Sequence, residues 1–280
     1  PLTRTSNGIL KSFYELTRVL LLIVREKPDL IHAVTIKPII FLGLVSRLTN
    51  TPFIGAISGM GPIINYTSLY QRLRFKVVLI IYRIIFKPQT SLIICQNEFD
   101  KNIILENKVC KQESICIISG SGVNLDKFKP SIERSHDTVL MASRILRDKG
   151  VMEYCEAADL YRKKYNDQIK FLLAGPIGEY TPTSISEEEI LTLCKKNGVS
   201  DLGNRSDLSE LLSRATIFVL PSYYQEGIPK VLIEASACGI PIITTDHPGC
   251  RDAVIEGKTG LLVEARNKEV IVTALNKLLD

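Results

Sequence analysis

Nine short apolar runs, each four to six residues long and bounded by turn-forming residues, recur along the chain, and they constrain its fold more than any other feature. They fall at Leu30–Val34, Phe53–Ile57, Leu92–Cys95 and Ile115–Ile118, then at Val139–Ala142, Ile169–Ala174, Thr216–Leu220, Pro241–Thr244 and Gly260–Val263. Runs of this length without in-out alternation are what strands buried on both faces carry, and stretches of helical period separate them. Strand and helix therefore alternate in two successive sets. That alternation predicts an α/β chain with parallel sheets covered by helices on both faces.

The polar segment Lys129-Pro130-Ser131-Ile132-Glu133-Arg134-Ser135 separates the sets and reads as a linker, giving domains over residues 1–130 and 131–280. A length of 280 residues suits two domains at roughly 100–200 residues each. The first set offers four strands, and Pro1 already stands at the approach to a helix over Gly8–Glu26. A doubly wound sheet usually has more strands. The expectation is that the N-terminal domain is incomplete here, with an opening strand before Pro1 and a closing helix after Asp280.

Composition excludes several classes. With 45% hydrophobic and 23% charged residues the chain is globular rather than disordered. No apolar run reaches the 18 to 20 residues that a spanning helix needs; Val19–Val24 and Val77–Tyr82 are the longest candidates, and charge flanks both. Seven cysteines without a C-x-x-C pair point to free thiols and a cytoplasmic setting. The histidines His32, His136 and His247 share no metal-ligand spacing with cysteines and no D-x-D pair occurs, so neither a catalytic metal nor another cofactor is expected. Charge is uneven: residues 1–130 hold 17 Lys and Arg against 8 Asp and Glu, and residues 131–280 hold 18 against 22. Between Leu30 and Asn97 there is no carboxylate, so this stretch should seek an anionic partner.

Ligands of open parallel sheets bind beyond the carboxyl ends of the strands, where helix N-termini favour phosphate. After Val139–Ala142 comes Ser143-Arg144-Ile145-Leu146-Arg147-Asp148-Lys149-Gly150, which puts Arg144 and Lys149 five apart in a turn that opens a helix. The pair can clamp a diphosphate, a guanidinium fork on one group and an ammonium on the other, or the two can be solvated loop charges. After Thr216–Leu220 comes Pro221-Ser222-Tyr223-Tyr224-Gln225-Glu226-Gly227-Ile228-Pro229, with a helix starting near Pro229. Glu226 can accept bonds from sugar hydroxyls and Gly227 admits close backbone approach; Glu234, after seven intervening residues, reaches toward a ribose diol. The alternative is that Glu226 complements the helix dipole and Glu234 makes a surface pair.

In order along the chain stand Ser121-Gly122-Val123-Asn124 with Phe128 and Pro130, Arg144 with Lys149, Ala174-Gly175-Pro176, Gly203-Asn204-Arg205-Ser206-Asp207, and the stretch from Glu226-Gly227-Ile228-Pro229 through Glu234 to Gly239-Ile240-Pro241. From about Pro28 to Val263 this set resembles the retaining glycosyltransferases of family 4. The resemblance implies a GT-B fold, two Rossmann-like domains facing across a cleft. It implies an N-terminal domain for the acceptor and a C-terminal one for a nucleotide sugar, with Arg144, Lys149 and Glu226 as the catalytic set. Gly122, Gly227, Ile228, Pro229 and Glu234 would contact the donor. Arg205 would lie near the base or serve the cap loop, where Asp207 and Glu210 also read as a capping box. Bond cleavage builds negative charge on the leaving diphosphate, and preorganised cations stabilise it.

Many relatives carry a histidine after the strand at Phe53–Ile57; here the turn is Ser58-Gly59-Met60-Gly61. Ser58, Gly59 and Gly61 either present backbone N–H groups to a sugar or phosphate or simply satisfy a tight turn. His32 reads as a buried strand histidine, and Lys37 as the better acceptor-side group. From Arg72 to Lys87, the side chains of Arg72, Lys76, Arg83 and Lys87 fall within about 60° at 100° per residue. That basic stripe suits an interfacial helix on anionic lipid, or an ordinary core helix with one solvated face. His32–Pro38 together with Ser58–Gly61 is similar to the subgroup extending polyprenyl-diphosphate-linked oligosaccharides in bacterial surface polysaccharide or glycan synthesis, which implies UDP-linked donors and a peripheral position on the inner face of the cell membrane. No nucleic-acid partner is expected. The rival readings are a nucleotide-sugar epimerase of the same fold and a non-catalytic nucleotide-sugar-binding subunit.

Overall fold

A computed structural model describes residues 9–61, 68–87, 89–177 and 181–280, with side chains from Tyr14 onward. The chain forms two compact units: residues up to Ser119 together with Gln225–Gly227, and Gly120–Tyr224 together with Ile228–Asp280.

The first unit holds a four-stranded parallel sheet in the order β1 (Ile31–Val34), β2 (Phe53–Ile57), β3 (Ser91–Cys95), β4 (Ile115–Ile117). Its helices are α1 (Ile9–Glu26), α2 (Ile36–Thr49), α3 (Leu69–Ile85) and α4 (Glu98–Glu106). Gly8, the expected first residue of α1, lies outside the described residues. Apolar strand residues bury against these helices, with Ile39, Phe53, Ile57, Tyr82, Ile85 and Ile93 at the centre. A reciprocal cap starts α3: Ser68 Oγ accepts the Gln71 N–H and Gln71 Oε1 accepts the Ser68 N–H, both at 3.3 Å. His32 corrects the sequence reading, being exposed rather than buried. On the edge strand β1, Ile31 and Ala33 face inward while His32 and Val34 alternate outward.

The second unit is a six-stranded parallel sheet: β5 (Thr138–Ala142), β6 (Lys170–Ala174), β7 (Ser200–Asp201), β8 (Ile217–Leu220), β9 (Ile242–Thr245) and β10 (Gly260–Val263), in the order β10-β9-β8-β5-β6-β7. The helices α5 (Val151–Lys164), α6 (Glu187–Asn197), α7 (Leu208–Arg214), α8 (Lys230–Ala237) and α9 (Lys268–Leu279) connect or close it. Val139, Leu140, Met141, Phe218, Ile242 and Ile243 are wholly buried, as fully covered strands require. Tyr154 on α5 sends its hydroxyl to the carbonyls of Val139 and Leu172, at 2.9 and 2.8 Å, so a buried polar atom pins the helix to β5 and β6.

The polar segment expected as a linker is held by the second unit. Arg134 donates to the carbonyls of Cys238 and Gly239, at 2.8 and 3.0 Å, satisfying groups at the end of α8, and Phe128 is buried in the second core.

Candidate functional site

Strand order in the second unit reverses at β5: the chain runs outward through β6 and β7, then returns to lay β8 on the other side of β5. The loops leaving β5 and β8 must diverge there, and a crevice opens at their carboxyl ends. The loop after β5 passes through a short 3-10 turn, Arg147–Lys149, and enters α5 through Gly150. The loop after β8 runs from Pro221 to Pro229, and its first part, Pro221–Tyr224, belongs to the second unit.

These loops are fastened to each other. The Asp148 carbonyl accepts the Tyr223 N–H at 2.9 Å and the Ser222 hydroxyl at 3.4 Å. Gly150 lies so close to Pro221 that a Cβ there would fall 2.3 Å from the Pro221 oxygen, and its φ of 79° is one that L side chains rarely adopt. From the neighbouring strand, Thr244 Oγ1 donates to the Leu220 carbonyl at 2.7 Å and Thr245 Oγ1 to that of Ser222. Arg266 lies over the Tyr223 ring, 4.5 Å from its centroid.

On this frame the two expected cations come together. Arg144 Cζ stands 5.6 Å, and Lys149 Nζ 5.0 Å, from the centroid of the Tyr224 ring. Arg144 is exposed, whereas Lys149 is only 5% exposed. A largely desolvated ammonium beside an exposed guanidinium at a strand-end crevice is chemically suited to an anion bearing two or more charges.

Glu234 is buried on α8, 3.5 Å from the Lys230 ammonium one turn earlier. Ile228 and Pro229 are buried at the start of α8, whose N-terminus carries no side-chain cap and keeps the positive end of its dipole available. Gly122 has a φ of 72° and open space where a Cβ would lie. Arg205 is bound fork-on by Asp207: its Nε donates to Oδ1 at 2.8 Å and its second terminal nitrogen to Oδ2. That pair holds the Asp207 carboxyl below its usual range and the guanidinium above its own. The expected capping box does not form. Asp207 makes no side-chain cap, because Arg205 occupies its carboxylate, and Glu210 pairs with Arg214 at 3.3 Å.

Gln225–Gly227 group with the first unit rather than the second. There the Gly227 N–H donates to the Ser58 carbonyl at 3.1 Å, and a Cβ on Gly59, whose φ is 102°, would fall 2.3 Å from the Gly227 nitrogen. The Ser58–Gly61 turn thus brings backbone against the segment that carries Glu226. Met60 N–H donates to Asp100 Oδ1 at 3.3 Å, and Asp100 is itself bonded to Asn97, so a buried polar pair at the head of α4 fixes the turn. Lys37 is paired with Glu15 of α1 at 2.9 Å and lies over the Phe41 ring.

The basic stripe is shorter than expected. Arg72, Lys76 and Arg83 are exposed on α3, but the helix ends at Ile85 and leaves Lys87 beyond it. Arg83 also donates twice to the Asn107 carbonyl, at 3.0 and 2.6 Å. Opposite the buried face formed by Phe75, Val78, Leu79, Tyr82 and Ile85, a second apolar row is exposed: Leu69, Leu73, Val77, Ile80 and Ile84, at 46–84%. These five lie within about 80° of arc at 100° per residue.

Sequence reasoning missed Tyr224 and Asp100. An aromatic residue at a strand's carboxyl end, two places before Glu226, was the available signal for the first; nothing in the sequence tied Asp100 to a turn forty residues earlier.

Comparison with known proteins identifies the family and the fold. The model of glycosyl transferases group 1 matches residues 122–280, and that of glycosyl transferase 4-like proteins matches residues 2–97. An N,N'-diacetylbacillosaminyl-diphospho-undecaprenol alpha-1,3-N-acetylgalactosaminyltransferase of Campylobacter jejuni is 31% identical over 97% of this chain and 72% of its own length. The capsular polysaccharide biosynthesis glycosyltransferase CapM of Staphylococcus aureus is 28% identical over 95% of this chain and 71% of its own. Among solved structures, Anabaena Alr3699/HepE in complex with UDP and glucose superposes with a TM-score of 0.76 at 18% identity, covering 99% of this chain and 75% of that one, a likeness of fold. Two parallel-sheet, Rossmann-like units and two matching family models lead to one conclusion: the chain is a glycosyltransferase of group 1, with the GT-B fold.

Proposed function

We propose that this glycosyltransferase moves a sugar from a UDP-linked donor to a polyprenyl-diphosphate-linked saccharide with retention of anomeric configuration, at the inner face of the membrane. The observation that carries the reading is the pairing of Arg144 and Lys149 at the β5–β8 switch point. Relatives support the acceptor class: the C. jejuni protein and an Escherichia coli UDP-Gal:alpha-D-GlcNAc-diphosphoundecaprenol alpha-1,3-galactosyltransferase, 24% identical over 98% of this chain and 72% of its own length, are both named for such acceptors.

In this reading the second unit holds the donor. Arg144 and Lys149 bind the diphosphate, the uncapped α8 N-terminus adds partial positive charge, and Glu234 accepts from the ribose hydroxyls. Glu226 is assigned to the sugar hydroxyls, whereas Gly227, expected to admit close backbone approach by the donor, has the space a side chain would fill taken by Gln96 Oε1 and the Ser58 backbone, so its lack of a Cβ serves packing within the first unit. When the bond from the anomeric carbon to the diphosphate oxygen breaks, both electrons stay on that oxygen, and the two cations stabilise the charge. The acceptor hydroxyl attacks from the face just vacated, and its proton passes to the departing diphosphate. No metal is called for, because side chains supply the positive charge.

The first unit supplies the membrane face. Leu69, Leu73, Val77, Ile80 and Ile84 present a continuous aliphatic row, flanked by Arg72, Lys76 and Arg83 on one side and Arg74 on the other, on a helix without a carboxylate. An aliphatic row edged by cations is complementary to a bilayer interface with anionic headgroups.

The experiment is a donor screen on the full chain with polyprenyl-diphosphate-linked acceptors and NMR assignment of the product anomer. A new glycosidic bond with the donor's own configuration is the expected result. An inverted product would remove the retaining mechanism. An isomerised nucleotide sugar without a new glycoside would replace transfer with epimerisation, and tight donor binding without either product would leave a binding subunit.

A further inference from the structure

Tyr224 has no assigned role, yet both cations of the donor site lie against its ring, at 5.6 and 5.0 Å from the centroid. Arg144 and Lys149 carry like charge, which opposes their close approach. An aromatic face against both offsets that, because its negative quadrupole attracts cations.

The ring is itself well held. Tyr224 N–H donates to Ser222 Oγ at 3.3 Å, and the loop is tied to Asp148 through Tyr223 and Ser222. Tyr223 is clamped from the other end by Arg266. Adjacent tyrosines therefore divide the work: Tyr223 anchors the loop, and Tyr224 turns its ring to the cations. The loop bearing the ring and the loop bearing the cations are the two fastened at the switch point, so their spacing is set by the fold rather than by the ligand.

We infer that Tyr224 is a positioning residue for the donor diphosphate, a ring platform that holds Arg144 and Lys149 together for it. The inference rests on the proposed diphosphate role of those two cations. It assigns the ring face, not the hydroxyl, as the active feature. Without the ring the cations separate, and binding an anion must first bring them back.

The test is calorimetric titration of the full chain with UDP and GDP, and ligand-observed NMR with uridine and guanosine, on the wild type and on Tyr224→Phe, Tyr224→Leu, Tyr224→Met, Lys149→Ala and Arg144→Ala. Thermal melts verify that each variant folds; the unbranched Met variant serves if Leu does not. Tyr224→Phe should bind the preferred diphosphate within about twofold of wild type. Tyr224→Leu should bind it roughly 10-fold more weakly while nucleoside affinity stays within about twofold. A Phe variant as weak as the Leu variant, or equal losses for nucleotide and nucleoside, overturns the platform. Lys149→Ala weakening the diphosphate while Tyr224→Leu does not also overturns it but keeps the diphosphate role of the cations. Unchanged diphosphate binding in both Lys149→Ala and Arg144→Ala overturns that role itself.

Discussion

Replacing Gly150 by alanine probes the junction on which the proposed donor site is built. Two costs add. The residue sits at φ 79°, where an L side chain costs about 1–2 kcal/mol. The new Cβ would fall 2.3 Å from the Pro221 oxygen and 2.6 Å from its Cγ, and a backbone carbonyl and a proline ring have little freedom to move aside, so overpacking adds about 1–3 kcal/mol. Gly257 is the control. Its φ is 71°, but a Cβ there meets nothing within 4 Å, so only the first cost applies. The expected loss for Gly150→Ala is thus about 2–5 kcal/mol, which for a unit of this size lowers the melting midpoint by roughly 5–15 °C. Gly257→Ala should fall by no more than about half as much. Thermal melts followed by circular dichroism measure both. Because relief of the clash parts the two loops, Gly150→Ala should also weaken UDP binding about tenfold or more at temperatures where it remains folded. A Gly150→Ala variant that melts no lower than Gly257→Ala would refute the argument that the loops are in hard contact.

Three further outcomes are expected. On vesicles, Leu73→Asp with Ile80→Asp should abolish sedimentation, whereas charge-neutralising Arg72 and Lys76 should weaken it only on anionic vesicles at low salt; burying five half-exposed aliphatic side chains is worth roughly 4–8 kcal/mol before ordering costs. Equal sedimentation of the double Asp variant and wild type would exclude α3. Burial raises the Glu153 carboxyl above its ordinary range, Glu156 adding to this while its own backbone N–H and Arg266 oppose it, and Oε2 has no hydrogen-bond partner among the described residues. A carboxyl raised on folding costs no stability while both states are protonated and destabilises as pH rises from the unfolded value through the folded one. Glu153→Gln should therefore melt higher than wild type at neutral pH and equally at about pH 4; a difference independent of pH would refute this. Finally, a chelator such as EDTA should leave the transfer rate unchanged, and a loss restored by magnesium or manganese would show that a metal shares the leaving-group charge with Arg144 and Lys149.

How much was legible in the sequence depended on whether a feature was local. Uncoupled apolar runs located nine strands to within a residue or two, because full burial demands continuous apolarity. The tenth, β7, is two exposed residues, Ser200 and Asp201, and carries no such signal. Arg144 and Lys149 were readable as a pair because they share one loop. Their meeting point was not, since Tyr224 comes from the loop after β8, a strand whose place beside β5 follows from sheet order, which short parallel strands do not encode. Partners distant in sequence were equally hidden: Glu15 for Lys37, Asn107 for Arg83, and the α8 carbonyls that make Arg134 part of the second unit rather than of a linker. On α3 the helical period located the basic stripe, but apolar residues cover both faces, and only packing separates the core row from the exposed one.

The most direct measurement of the proposed donor grip is kcat/KM for sugar transfer by Arg144→Ala and Lys149→Ala, with nucleoside binding measured alongside. Each charge-assisted contact to the diphosphate is worth about 1.5–3 kcal/mol, so each variant should lose roughly 10- to 150-fold in kcat/KM while nucleoside affinity holds. Transfer within twofold of wild type in both variants would contradict the claim that these two cations hold the leaving group.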